Sequence, residues 1–197
     1  MGKRRILICG EPELRRKSKK IRRIDDEVVR LLDDLVETMA EGNGIGLAAP
    51  QIGENVRAIT FGEIVSAEED EDEEMVVHKL INPRIVEAEG EVEATEGCLS
   101  LPTLHGVVLR PQRVVVEGVD GDGEAVAMEL EGWSARAVAH EIDHLNGKLF
   151  IDRAEPDSLA WIIPDDKEED GYRLQKCSVE ETMAAFRRLL EKMKAED

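Results

Sequence analysis

His140-Glu-Ile-Asp-His144 carries two imidazoles four residues apart around a carboxylate, in a chain with only four histidines. On a helix, positions i and i+4 share one face about a turn apart, so both rings can bind one metal ion. Glu141 sits beside the first ring, where a carboxylate can take a proton from a water polarised by the metal and later pass it on. The plain alternative is a helix with two surface histidines and an incidental acid. A catalytic divalent site wants three protein ligands and an open position. A downstream acid, Glu168 or Glu169, could supply the third, as in zinc peptidases. Cys98, in Glu96-Gly-Cys-Leu-Ser100, is the competing donor. Although a free cysteine is most often a small buried hydrophobe, Gly97 permits close backbone approach, and a thiolate beside two imidazoles suits Zn²⁺ or Fe²⁺.

These residues need elements to hold them. Ile24, Val28, Leu31, Leu32, Leu35 and Met39 form an apolar stripe at helical spacing over 24–40, with Asp25 and Asp26 at the start and Gly42 as the stop. Gly44–Gln51 is too rich in glycine and small residues for regular structure. Strands are expected over 56–64, over 75–89 with Pro83 interrupting, over 113–119 and over 124–131; Asp120-Gly-Asp-Gly123 joins the last two as a hairpin. Residues 133–146 read as a second helix, with Val138, Ile142 and Leu145 on one side and Gly147 as terminator. Residues 154–177 read as irregular, and Ser178-Val-Glu-Glu181 resembles a capping box opening a tail helix. The expected fold is α+β, antiparallel strands packed around the central His-Glu-x-x-His helix with a C-terminal helix, divided into a catalytic domain over 1–153 and an acidic linker plus helix over 154–197.

Composition sets bounds. With 197 residues and 42% hydrophobic side chains, the chain can bury a core despite 36% charged residues. No apolar run approaches the ~20 residues of a membrane helix, and the apolar stretch Ile6–Cys9 is too short for a signal peptide. The net charge of −18 disfavours nucleic acid, DNA included, as a partner of the molecule as a whole. Residues 1–23 nonetheless hold ten Lys or Arg against Glu11 and Glu13, whereas Glu68–Glu74 is seven consecutive acids, expected as a solvated loop. Three widely spaced cysteines fit a reducing compartment.

Gly44-Ile-Gly-Leu-Ala-Ala-Pro-Gln51, Glu96-Gly-Cys-Leu-Ser100 and His140-Glu-Ile-Asp-His144 resemble, in order and spacing, the three signature motifs of peptide deformylases. Smaller matches at Asn82-Pro-Arg-Ile85 and Gly147-Lys-Leu-Phe150 extend the resemblance over about residues 6–153. The resemblance implies a metallohydrolase that removes the formyl group, as formate, from the N-terminal formylmethionine of nascent polypeptides in the cytoplasm. It implies Cys98, His140 and His144 as ligands of one divalent ion, Fe²⁺ in the cell, with Zn²⁺, Ni²⁺ or Co²⁺ as substitutes. Glu141 becomes general base and acid for attack of a metal-activated water on the formyl carbon. The side-chain amide of Gln51 and the backbone N–H of Leu99 become oxyanion donors. Backbone at Ile45, Gly46 and Gly97 would hold the peptide, with Gly44, Gly46 and Gly97 leaving room for it. Ile45, Trp133 and Ala137 would wall the methionine pocket. The residue before the first histidine, commonly Gln in the family, is Ala139 here. His105 is expected in a surface loop, and His78 in a strand without a nameable partner. The competing readings are a His-Glu-x-x-His endopeptidase and an inactive ribosome-associated homologue. Docking on the ribosome would fall to the basic residues 3–23, because the tail helix carries balanced charge.

Overall fold

The computed structural model describes residues 2–65, 74–168 and 170–196. The acidic run therefore lies outside the described residues, apart from Glu74. In chain order the strands are β1 Gly46–Ala48, β2 Ala58–Val65, β3 Glu74–Glu89, β4 Val92–Cys98, β5 Leu101–Arg110, β6 Arg113–Val119, β7 Ala125–Glu131, β8 Ala160–Pro164 and β9 Tyr172–Lys176; the helices are α1 Asp26–Glu41, α2 Gly132–Leu145 and α3 Val179–Glu196. The strands form two antiparallel sheets, β1-β2-β3-β6-β7 and β4-β5-β8-β9.

α1 starts two residues later than expected because the Asp25 carboxylate caps it, accepting from the Glu27 and Val28 N–H groups at 3.2 and 3.3 Å. Gly42 ends it while still right-handed (φ −76°), and the left-handed turn falls on Asn43 (φ 51°). β3 runs through Pro83 instead of stopping there. Its pairing with β6 shifts register between Ile81 and Arg84, and a bulge of this kind lets a strand carry a proline. The Asp120–Gly123 hairpin forms as read, with Asp120 Oδ1 accepting from the Asp122 and Glu124 N–H groups and Gly123 at φ 90°.

Residues 154–177 correct the sequence reading. They are not irregular: β8 and β9 form a hairpin that extends the second sheet, with Leu104 opposite Trp161 and His105 opposite Ala160. α3 opens on the capping box as read, Glu181 N–H donating to Ser178 Oγ and Ser178 N–H to Glu181 Oε2.

Two cores meet at the site. α2 is buried continuously from Ser134 to Leu145. Val138 and Ile142 pack with Ile59, Phe61, Leu80, Val114 and Val116 of the five-stranded sheet. Leu101, Leu104 and Val108 of the second sheet pack instead with Phe150, Leu159 and, from α3, Phe186 and Leu190. Met39, Leu35 and Leu32 of α1 seal the outer face of β1 and β2. No helix among the described residues is long and apolar enough to cross a membrane.

Candidate active site

The seam between the two cores opens into a cleft of about 550 Å³, within the usual range for small-ligand sites. Ile45, Gly46, Gln51, Gly97, Cys98, Leu99, Trp133, Ala137, His140 and Glu141 all line it. Cys98 arrives from the end of β4, and His140, Glu141 and His144 from α2. One donor atom each from Cys98, His140 and His144 lies within 4.8 Å of the other two, with Cys98 Sγ 3.3 Å from His144 Nε2. A tetrahedral ion with bonds of about 2.0–2.3 Å needs donors about 3.3–3.8 Å apart, so these three fit one divalent ion. Glu168 is exposed in the β8–β9 turn and is not part of this group; Glu169 lies outside the described residues.

The rings are set for ligation. Glu96 Oε2 lies 3.0 Å from His140 Nδ1, which leaves Nε2 for a metal. Burial disfavours the His140 cation, but Cys98 and Glu96 outweigh it and hold its pKa well above the ordinary value. Burial pushes His144 well below its ordinary value, towards the neutral ring a metal requires. Glu96 itself stays ionised: burial would raise its pKa, yet His140 and Arg110 bring it to about 2. Arg110 clasps Glu96 through Nε and Nη2 at 2.9 and 3.0 Å and also bonds Asp143, which Arg153 holds at 2.6 and 2.8 Å. This buried chain of ions was missed in the sequence, although Glu96 and Asp143 stand inside the motifs.

Gln51 is buried, and its amide orientation is fixed at both ends. Oε1 accepts from the Ala48 N–H at 2.8 Å, so Nε2 must face Ser100 Oγ (3.2 Å) and Cys98 Sγ (3.6 Å). Leu99 follows Cys98 in the tight turn before β5. The glycines correct the sequence reading: the space they leave is filled by this chain's own side chains. A Cβ at Gly44 would meet Leu99 Cδ1 at 2.8 Å, one at Gly46 would meet Glu141 Oε1 at 2.5 Å, and one at Gly97 would meet the His105 ring at 3.1 Å. Gly46→Ala is therefore expected to displace the Glu141 carboxylate and cost ~10²-fold in turnover with the metal retained, the scale for a misplaced catalytic group. Steady-state rates at matched metal content check this.

His105 is likewise not in a surface loop; it lies half-buried on β5 in the cleft wall, opposite Gly97. Trp133 stands at the rim, 56% exposed, while Ala137 is buried deeper. His78 does have a partner, Glu63 Oε2 at 2.7 Å.

Glu141 is 4% exposed and its Oε2 has no hydrogen-bond partner. Burial pushes its carboxyl up to about 7, with His140 and Arg110 countering only in part. Between about 4.5, its ordinary value, and about 7, the metal-free fold thus binds more protons than the unfolded chain, and stability falls as pH rises through that window. Metal-free Glu141→Gln should lose this slope, melting above wild type at pH 8 and level with it at pH 4.5. Equal melting at both pH values would contradict it.

Three metal donors, an unpartnered carboxylate and a fixed amide around one cleft define a metal-dependent hydrolase by class. The Polypeptide deformylase family model matches residues 3–159. The peptide deformylase of Natranaerobius thermophilus is 48% identical over 156 residues, covering 79% of this chain and 94% of the relative. That of Caldicellulosiruptor bescii is 45% identical over 180 residues, covering 91% and 100%. The crystal structure of the Ehrlichia chaffeensis enzyme in complex with actinonin superposes with a TM-score of 0.73 at 33% identity, covering 79% of this chain and 91% of that one. The chain belongs to the polypeptide deformylase family.

Proposed function

We propose that the chain hydrolyses the formyl group from N-terminal formylmethionine of nascent polypeptides, releasing formate, with Fe²⁺ as the ion used in the cell. The observation that carries this reading is the convergence of Cys98, His140 and His144 beside the unpartnered Glu141 carboxylate. A divalent ion there, once bound, supplies a strongly polarised water near neutral pH and withdraws charge from the formyl oxygen. Zn²⁺, Ni²⁺ and Co²⁺ suit the same donors.

Glu141 takes the proton from the attacking water and returns it to the departing amine. The Gln51 amide and the Leu99 N–H donate to the oxygen that gains charge. Gln51 is ready for that task because Ala48 holds its carbonyl end, so no reorientation is needed as the charge develops. Backbone at Ile45, Gly46 and Gly97 pairs with the extended peptide, and the methionine side chain enters between Ile45, Trp133 and Ala137. The cleft walls exclude water from the rest of the bond being cut.

Product analysis separates this reading from an endopeptidase. Formyl-Met-Ala-Ser should yield formate and intact Met-Ala-Ser, and acetyl-Met-Ala-Ser should survive. Cleavage at an internal peptide bond would overturn the assignment.

Work on nascent chains places the enzyme in the cytoplasm, at the ribosome. The cations of the N-terminal segment divide into two sets: Lys3, Arg4, Arg5, Arg15 and Arg16 are ion-paired, whereas Lys17, Lys19, Lys20, Arg22 and Arg23 are exposed with no acid within 4.0 Å among the described residues. The second set is the better docking surface. Charge reversal at Lys17, Lys19 and Lys20 should abolish ribosome co-sedimentation at low salt and leave formate release unchanged; unchanged co-sedimentation would leave these residues a solvated surface.

A further inference from the structure

The strand that delivers Cys98 is weakly anchored by packing. β4 lies at the edge of its sheet, and Glu96 is its one buried residue; Val92 is exposed and no apolar side chain of β4 is buried. The two histidines sit on α2, whose apolar partners belong to the other core. Hydrophobic contact therefore does little to set the distance between Cys98 and the histidines. A metal site that straddles two cores needs another device to hold its halves in register.

Arg136 of α2, one turn before His140, is placed to be that device. Its side chain is buried, and its guanidinium faces β4 and β5. Nη2 donates to the Val92 carbonyl at 2.8 Å, and Nη1 lies 2.6 Å from Glu96 Oε1, 3.1 Å from the Val108 carbonyl and 3.5 Å from the Ala94 carbonyl. Ala94 and Val108 are register partners across β4 and β5. One planar group thus grips two β4 carbonyls, the strand that pairs with β4, and the carboxylate that orients His140. Lysine could reach only part of this set, because the fan of N–H donors belongs to the guanidinium.

We infer that Arg136 is a positioning residue for the metal centre: it fixes β4 against α2 and so sets where the Cys98 sulfur stands relative to His140 and His144. This rests on reading those three residues as metal ligands.

Co²⁺-substituted full-length protein tests the inference without recourse to turnover. Arg136→Met keeps the apolar stem and removes the donors. It should release Co²⁺ to a chelator 10–100-fold faster than wild type, the cost typical of losing an outer partner of a metal ligand. Its thiolate-to-Co²⁺ absorption should also shift, with Arg136→Lys intermediate in both readouts. Leu190→Ala, in the other part of the molecule, serves as a control of similar melting temperature and should release Co²⁺ at the wild-type rate. Release from Arg136→Met within about two-fold of wild type, or release from Leu190→Ala as fast as from Arg136→Met, would overturn the inference. Should Arg136→Met not fold, Arg136→Lys carries the same comparison, and a wild-type rate there overturns it. Absence of thiolate-to-Co²⁺ absorption in wild type, or its persistence in Cys98→Ser, would instead defeat the ligand reading.

Discussion

Glu141→Gln, loaded with metal to the same stoichiometry as wild type, is expected to lose ~10²–10⁴-fold in turnover on formyl-Met-Ala-Ser, the range for removing a positioned general acid–base. The substitution keeps the shape of the side chain and one oxygen, so packing against Gly46 survives. What it removes is the ability to accept the water's proton. In the metal-free fold Oε2 faces no donor and burial keeps the carboxyl pKa near neutrality, so the group is poised to exchange a proton at working pH. Because the carboxylate is not one of the three converging donors, metal content should not change. Metal analysis beside formate release checks both halves. Wild-type turnover from the variant would remove Glu141 from the mechanism, and loss of the ion would make it a ligand.

Cys98→Ala should have a larger effect still, eliminating both tight metal binding and turnover. Two imidazoles would remain, and a catalytic divalent site wants three protein ligands. Glu168 cannot replace the thiolate, since it is exposed in the β8–β9 turn. Full metal stoichiometry and activity in Cys98→Ala would restore the peptidase-type model with an acid as third ligand. The variant is also informative about folding. Cys98 is half-buried and small, so truncation should cost little stability in the metal-free protein, and far-UV circular dichroism should be unchanged.

Much of this architecture is readable in the chain because its cues are local. The α1 stripe, the Asp120–Gly123 hairpin and the Ser178–Glu181 capping box each complete their defining contacts within a few residues, so spacing alone suffices. His140 and His144 are legible for the same reason. Cys98 needed its glycine-rich surroundings and the accompanying motifs. β4 escaped notice because it buries a glutamate and no apolar side chain, which leaves no alternation to detect. β8 and β9 escaped because β9 is exposed along its whole length and Pro156, Pro164 and the acids between the strands read as loop. The ion chain had no local signature at all: Arg110 reaches Asp143 across 33 positions, and Arg136 reaches Glu96 across 40. The glycine motifs were legible as places of close approach, but only the folded chain identifies Leu99, Glu141 and His105 as what approaches.

The most direct measurement is formate release from formyl-Met-Ala-Ser by the full chain reconstituted anaerobically with Fe²⁺, alongside the metal-free protein. The site described here predicts multiple turnovers per bound Fe²⁺, none without metal, and activity proportional to occupancy. No formate at any loading of Fe²⁺, Zn²⁺, Ni²⁺ or Co²⁺ would contradict it.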